Sequence, residues 1–187
     1  IDQFFTNLAI VLLGNFIGSV TIAWMQSYGG AFTMSNNKFG AYVILTALSK
    51  TNIEFTQAFV LGIMCNLFVC AGVWMMYSST DVTGKILAGF FSILAFVISG
   101  SEHIVANMYY IPAGIFASKN SAFVAEAGLR KSDLLNLTWH GFLLNNAIPV
   151  ILGNLVGGMI IATIYHTIYK KFNKKTRCIT FAKRKVS

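Results

Sequence analysis

The sequence predicts an all-α membrane protein whose bundle of spanning helices includes one interrupted at mid-membrane. Three observations carry that expectation. The 187 residues are 56% hydrophobic and only 11% charged, with a mean hydropathy of +0.66, which leaves too little polar surface to wrap a water-soluble globule. The apolar residues gather into runs of about 20, the length that crosses the hydrocarbon core as a helix. One such run, residues 86–118, is broken in its middle by Ser99-Gly100-Ser101-Glu102-His103, where an acid and an imidazole stand side by side. A central charge costs roughly 2.5 to 3.5 kcal/mol on insertion scales, and a broken helix exposes backbone groups that only protein or a water-filled cavity can satisfy.

The first span is expected over residues 4–25. Gly29-Gly30 and Ser35-Asn36-Asn37-Lys38 then mark a polar, turn-rich connection. Phe39 to Leu48 is apolar but too short to cross, and reads as the approach to the second span at residues 57–77. Residues 78–84, Ser-Ser-Thr-Asp-Val-Thr-Gly, separate it from the broken span at 86–118. Residues 119–140 carry Lys119, Glu126, Arg130, Lys131 and Asp133 and read as loops or interfacial helices. The last span follows at 141–168.

Residues 169–187 form a basic tail in which Lys170, Lys171, Lys174, Lys175, Arg177, Lys183, Arg184 and Lys185 supply eight of the fourteen lysines and arginines. By the positive-inside rule this tail is cytoplasmic. The formal net charge of +8 is concentrated there without interleaved base-stacking aromatics, so nucleic acid is not the expected partner. Anionic lipid headgroups are. Four spans would put residue 1 on the cytoplasmic side as well, and the chain opens at Ile1-Asp2 with almost no flank and no signal-peptide pattern. Upstream membrane segments are therefore expected.

An internal echo points the same way. Leu13-Gly14-Asn15-Phe16-Ile17-Gly18 in the first span recurs as Leu152-Gly153-Asn154-Leu155-Val156-Gly157 in the last. Both are small-xxx-small faces on which glycines let helices approach and an asparagine can bond across the contact or line a path. Repeated span types are the mark of transporters built from inverted repeats, with the site between broken helices. If the echo marks equivalent helices, each half holds three spans, and two of the six precede this sequence.

Gly100-Ser101-Glu102-His103-Ile104-Val105-Ala106-Asn107-Met108 with Pro112, the stretch Asn146-Ala147-Ile148-Pro149 through Gly157-Gly158, and Gly62-Ile63-Met64-Cys65-Asn66 to Val73-Trp74 together resemble the formate/nitrite transporter family along essentially the whole chain. The resemblance implies an aquaporin-like bundle of six spans per protomer, the second and fifth interrupted, assembled as a homopentamer in which each protomer has its own pore in the cell membrane. The sequence departs from the family by lacking the first two spans and by carrying Leu61 where many relatives place an arginine.

Residue by residue, the resemblance implies that His103 is the pore histidine, Lys50 the lysine of the outer vestibule, and Phe96 an apolar constriction. Asn66, Asn107 and Asn154 are expected along the substrate pathway, although an amide within an apolar span first needs a bonding neighbour. Glu102, Ser99 and Gly100 are expected to hold the broken loop, Glu102 as a buried acceptor for its backbone amides. The implied substrate is a small monovalent anion of a weak acid. Formate is favoured by the Met108-Tyr109-Tyr110-Ile111-Pro112 continuation, with nitrite or hydrosulfide as the alternative and protons as a further partner, whether transport is passive or proton-coupled being left open.

Enzymatic chemistry is not expected. Glu102 and His103 have no nucleophile or metal cluster on facing spans, Cys65, Cys70 and Cys178 have neither metal-ligand nor disulfide spacing, and no phosphate-cradling glycine motif occurs. No cofactor or metal is expected. A non-conducting assembly subunit remains the other functional class.

Overall fold

The computed structural model describes residues 2–184, with the side chains of Phe4 and of residues 171–184 left aside. The basic tail therefore lies, beyond Lys170, outside the described side chains, and Lys185 lies outside the described residues altogether. Every regular element among the described residues is helical. Among the described residues, three stretches are long and apolar enough to cross a membrane: Phe5–Tyr28, Phe55–Ser78 and Trp139–Lys170. Two shorter apolar helices, Val82–Ile98 and Ile104–Ala117, form the broken span.

Helix α1 (Asp2–Tyr28) turns two of its polar side chains onto its own backbone. Asn15 Nδ2 donates to the Val11 carbonyl at 2.9 Å and Thr21 Oγ1 to the Ile17 carbonyl at 2.7 Å, so neither bonds across to another helix. The connection after it reverses through Gly30 at φ 76° and three successive left-handed residues, Ser35, Asn36 and Asn37. Short polar side chains tolerate that region better than bulky ones.

The stretch read as an approach to the second span is a helix in its own right, α2 (Lys38–Thr51). Its length, about 21 Å at 1.5 Å per residue, is too short to cross. Its buried residues, Gly40, Ala41, Val43, Ile44, Ala47, Leu48 and Thr51, follow the i, i+3, i+4, i+7 stripe of an amphipathic helix. That stripe packs on α5 (Ile104–Ala117), where Gly114 admits the Ala47 methyl. Length alone concealed the helix, because a short apolar run does not announce its periodicity.

Helix α3 (Phe55–Ser78) packs along α8 (Ile148–Arg184) and against α4 (Val82–Ile98). The α3–α8 seam is backbone on backbone. A Cβ on Gly153 would collide with the Phe59 carbonyl, one on Gly157 with the Ile63 carbonyl, and one on Gly62 would lie 3.1 Å from the Val150 carbonyl and 3.2 Å from Gly153 Cα. The echo in α1 behaves differently. A Cβ on Gly14 or Gly18 would meet no other part of the chain within 4 Å, so the expectation of two equivalent close-packed faces holds for only one of them in this chain. The same six-residue pattern meets a neighbour in α8 and open space in α1.

Between α5 and α8 the chain forms α6 (Ser121–Glu126), a short 3-10 turn, α7 (Trp139–Gly141) and a π-helical turn at Phe142–Ala147. The last span expected at residues 141–168 thus begins as a π turn and continues as helix to Arg184. Pro149 sits where the π turn passes into α8, and it has no N–H to donate to the preceding turn.

The glycine seam generates a direct test. Gly153→Leu in the full-length protein should destabilise it by about 1–3 kcal/mol, the usual penalty of overpacking. Thermal unfolding of the detergent-purified protein measures this, and an unchanged melting temperature would show that α3 and α8 do not meet at that glycine.

Candidate functional site at the helix break

Residues 99–103 join α4 to α5 without regular structure, and each backbone group needs an answer there. Gly100 adopts φ 66°, a left-handed turn that glycine enters without steric penalty. Ser99 Oγ donates to the Phe96 carbonyl at 2.9 Å and lies 2.6 Å from Ser101 Oγ. The Ser101 amide donates to the Phe96 carbonyl at 3.2 Å and the Glu102 amide to the Leu61 carbonyl of α3 at 3.3 Å. Ser99 and Gly100 therefore lie within the turn and bond inside it.

Asn154 of α8 closes the rest. Its Oδ1 accepts from the Ile104 amide at 3.0 Å. Its Nδ2 donates to the Glu102 carbonyl and the Gly62 carbonyl, both at 2.9 Å, and its own carbonyl accepts from Asn66 Nδ2 at 2.6 Å. One carboxamide thus ties the break to α3 and α8, which is how irregular backbone survives in an apolar environment.

The Glu102 side chain is 7% exposed, and it does not bond the loop amides. Those are already taken by Leu61 and Asn154. Instead Oε1 accepts from Lys50 Nζ at 2.8 Å, and Oε2 accepts from Asn107 Nδ2 at 2.5 Å and Asn146 Nδ2 at 3.3 Å. Asn107 Nδ2 also donates to Asn146 Oδ1 at 2.8 Å, and Asn146 Nδ2 to the Lys50 carbonyl at 3.0 Å. Both partners of Asn107 Nδ2 are acceptors, so this amide orientation is set by the network. Asn107 Oδ1 is left buried without a protein donor.

Lys50 does not snorkel to an interface. It ends α2 with its side chain only 15% exposed, held by Glu102, and its Nζ lies 5.6 Å from the centroid of the Tyr110 ring. His103 caps the start of α5, its Nδ1 accepting from the Ala106 amide at 3.4 Å. In the neutral ring this acceptor role places the proton on Nε2. The imidazole lies against Phe96, ring centroids 5.6 Å apart.

These groups share a cavity of about 190 Å³. Helix α2 contributes Tyr42, Thr46 and Lys50, spaced four apart on one face; α4 contributes Phe96; the break contributes Ser101 and His103; α5 contributes Asn107 and Tyr110. Larger concavities of about 380 and 480 Å³ contain none of these residues. Of the six residues expected along a pathway, four converge here: His103, Lys50, Phe96 and Asn107. Asn66 and Asn154 do not line the cavity; they bond each other's helices in the α3–α8 seam. Tyr42, Thr46 and Tyr110 were missed as wall residues. The four-residue spacing of Tyr42, Thr46 and Lys50 was the available signal, legible only once residues 38–51 are read as a helix.

The model of the formate/nitrite transporter family matches residues 1–168. The chain belongs to that family. It is 38% identical over 171 residues to the formate channel FocA of Haemophilus influenzae, an alignment covering 90% of this chain and 60% of the relative. It is 35% identical over 176 residues to FocA of Escherichia coli, covering 91% and 61%. Among solved structures, a pentameric formate channel with formate bound superposes with a TM-score of 0.84 at 31% identity, covering 90% of this chain and 67% of that one. An FNT family ion channel gives a TM-score of 0.71 at 31% identity, with 89% and 60% covered. The chain spans about 60% of the length of these curated relatives. They are channels rather than enzymes, in keeping with the expected absence of catalytic chemistry, and the all-helical membrane fold agrees.

Removing one partner from a buried ion pair typically costs about 3–5 kcal/mol, because the other charge stays buried. Lys50→Met and Glu102→Gln should therefore each lower stability, while the double variant should lose much less than the sum, by at least about 1 kcal/mol of coupling. A double-mutant cycle on thermal unfolding of the full-length protein measures this. Additive losses would dissolve the pair.

Proposed function

We propose that the full-length protein conducts small monovalent anions of weak acids, formate first among them, across the cell membrane through a pore in each protomer of a homopentamer. The observation that carries this reading is the cavity at the helix break, where a lysine, a histidine and a phenylalanine ring meet in a chain of the formate/nitrite transporter family. The relatives named as formate channels and the pentameric structure with formate bound support the substrate and the assembly.

Each group has a physical task in this reading. A carboxylate cannot cross an apolar narrowing such as Phe96 cheaply, since desolvating it costs several kcal/mol even after relaxation. Protonating it removes most of that cost. Lys50 draws the anion toward the break, and His103 governs the supply of the proton. Imidazole has a reference pKa near 6.5, so it changes protonation state within the physiological range. The buried Asn107 Oδ1, which has no protein donor, is an acceptor that a water or a protonated acid can satisfy. The basic tail faces the cytoplasm and the anionic lipid heads there.

Radiolabelled formate uptake into liposomes containing the full-length protein, competed with nitrite and hydrosulfide at two pH values, tests the reading. Saturable or channel-like formate flux that shifts with pH supports it. Stronger competition by nitrite or hydrosulfide would reassign the substrate, and folded oligomers passing none of these anions would leave an assembly subunit. In the same assay His103→Asn should retain assembly and lose the pH dependence of uptake. A pH profile matching the parent's would remove His103 from proton supply.

A further inference from the structure

We infer that Tyr110 is a specificity-determining residue of the chamber, its ring holding the Lys50 ammonium in place and setting the width open to the anion. This rests on the transport reading above. Lys50 is reached from two sides: Glu102 Oε1 accepts a hydrogen bond from Nζ at 2.8 Å, and the Tyr110 ring lies with its centroid 5.6 Å from Nζ. A lysine on one hydrogen bond can still swing on its flexible four-carbon stem. An aromatic face on the open side attracts the ammonium through the ring quadrupole and stops that swing.

Tyr110 also occupies the chamber itself. It lines the cavity, on α5, together with the Tyr42, Thr46 and Lys50 stripe of α2, and it is 39% exposed, so part of the ring meets the open space that an anion would use. Its position is braced from behind. The Tyr109 ring meets it edge-on, centroids 5.6 Å apart at 67°, and the Tyr109 hydroxyl donates to Gln26 Oε1 of α1. A strut of three side chains thus runs from α1 to the lysine. Removing the ring leaves the ammonium on Glu102 alone and widens the chamber at once, and both changes favour a larger carboxylate over formate.

The test compares Tyr110→Leu with Tyr110→Phe in the full-length protein, reading the ratio of acetate to formate flux in liposomes. Tyr110→Leu should raise the ratio about tenfold, the lower end of what a pocket gains by discriminating a single methylene. Tyr110→Phe, which keeps the ring, should give back the parent ratio. A parent ratio in the leucine variant overturns the inference, and so does an equal shift in both variants, which would assign the role to the hydroxyl.

A second readout separates this from the transport reading. The Lys50 amine of the same purified oligomers is acylated with an amine-reactive ester and followed by peptide mass spectrometry. Tyr110→Leu should label Lys50 several-fold faster than the parent or Tyr110→Phe, and equal rates would overturn the ring–ammonium contact. A parent that passes no weak-acid anion sinks the transport reading and the specificity with it, while the labelling rates still decide the contact.

Discussion

A carboxylate buried away from water has to be matched atom by atom, and the way Glu102 is matched organises the whole site. Its three donors come from three different elements: Lys50 from the end of α2, Asn107 from α5, and Asn146 from the π turn that precedes α8. None of these elements is near another in sequence, so the carboxylate acts as a common fastening point for parts of the chain that would otherwise only touch through apolar contacts. In a medium of low dielectric such fastening is directional, since a misplaced donor leaves a charge uncompensated. The walls of the chamber inherit their positions from it.

A second amide hub works on the backbone rather than on charge. Asn154 holds the Glu102 carbonyl and the Ile104 amide while the glycines beside it bring α8 within backbone distance of α3. The close approach is what allows a side chain as short as asparagine to reach across to the break. Asn146 and Asn154 thus divide the work: one fixes the side chains that face the cavity, the other fixes the turn that displays them. The π turn at Phe142–Ala147 accommodates the first, and the glycine seam the second.

Much of this was legible in the sequence because it is local. The long apolar runs, the interruption at 99–103, the turn role of Ser99 and Gly100, and the need for every membrane amide to find a partner follow from residue type and spacing. What was not legible depends on pairings across the chain. Lys50 and Glu102 are 52 positions apart and Asn146 and Lys50 are 96 apart, and nothing in either neighbourhood names the other. Helix α2 escaped because ten apolar residues have no single meaning in a membrane chain. The Gly14 and Gly153 motifs read alike yet meet different surroundings, which shows that a small-residue face states a capacity for contact and leaves the contact itself to the rest of the fold.

The ion pair bears on how long a guest would stay. A bare ammonium about 4 Å from an anion attracts it by about 4 kcal/mol at an effective dielectric of 20, which slows escape by roughly a thousandfold at 1.4 kcal/mol per decade. Lys50 is not bare. With Glu102 Oε1 at 2.8 Å the pair presents a dipole, whose pull is weaker and fades faster with distance than that of a single charge. Conduction demands a site that admits an ion and also releases it. In the proposed pore, a lysine already half-satisfied by its own protein would favour short dwell times, the neutralising carboxylate trading tightness of hold for throughput.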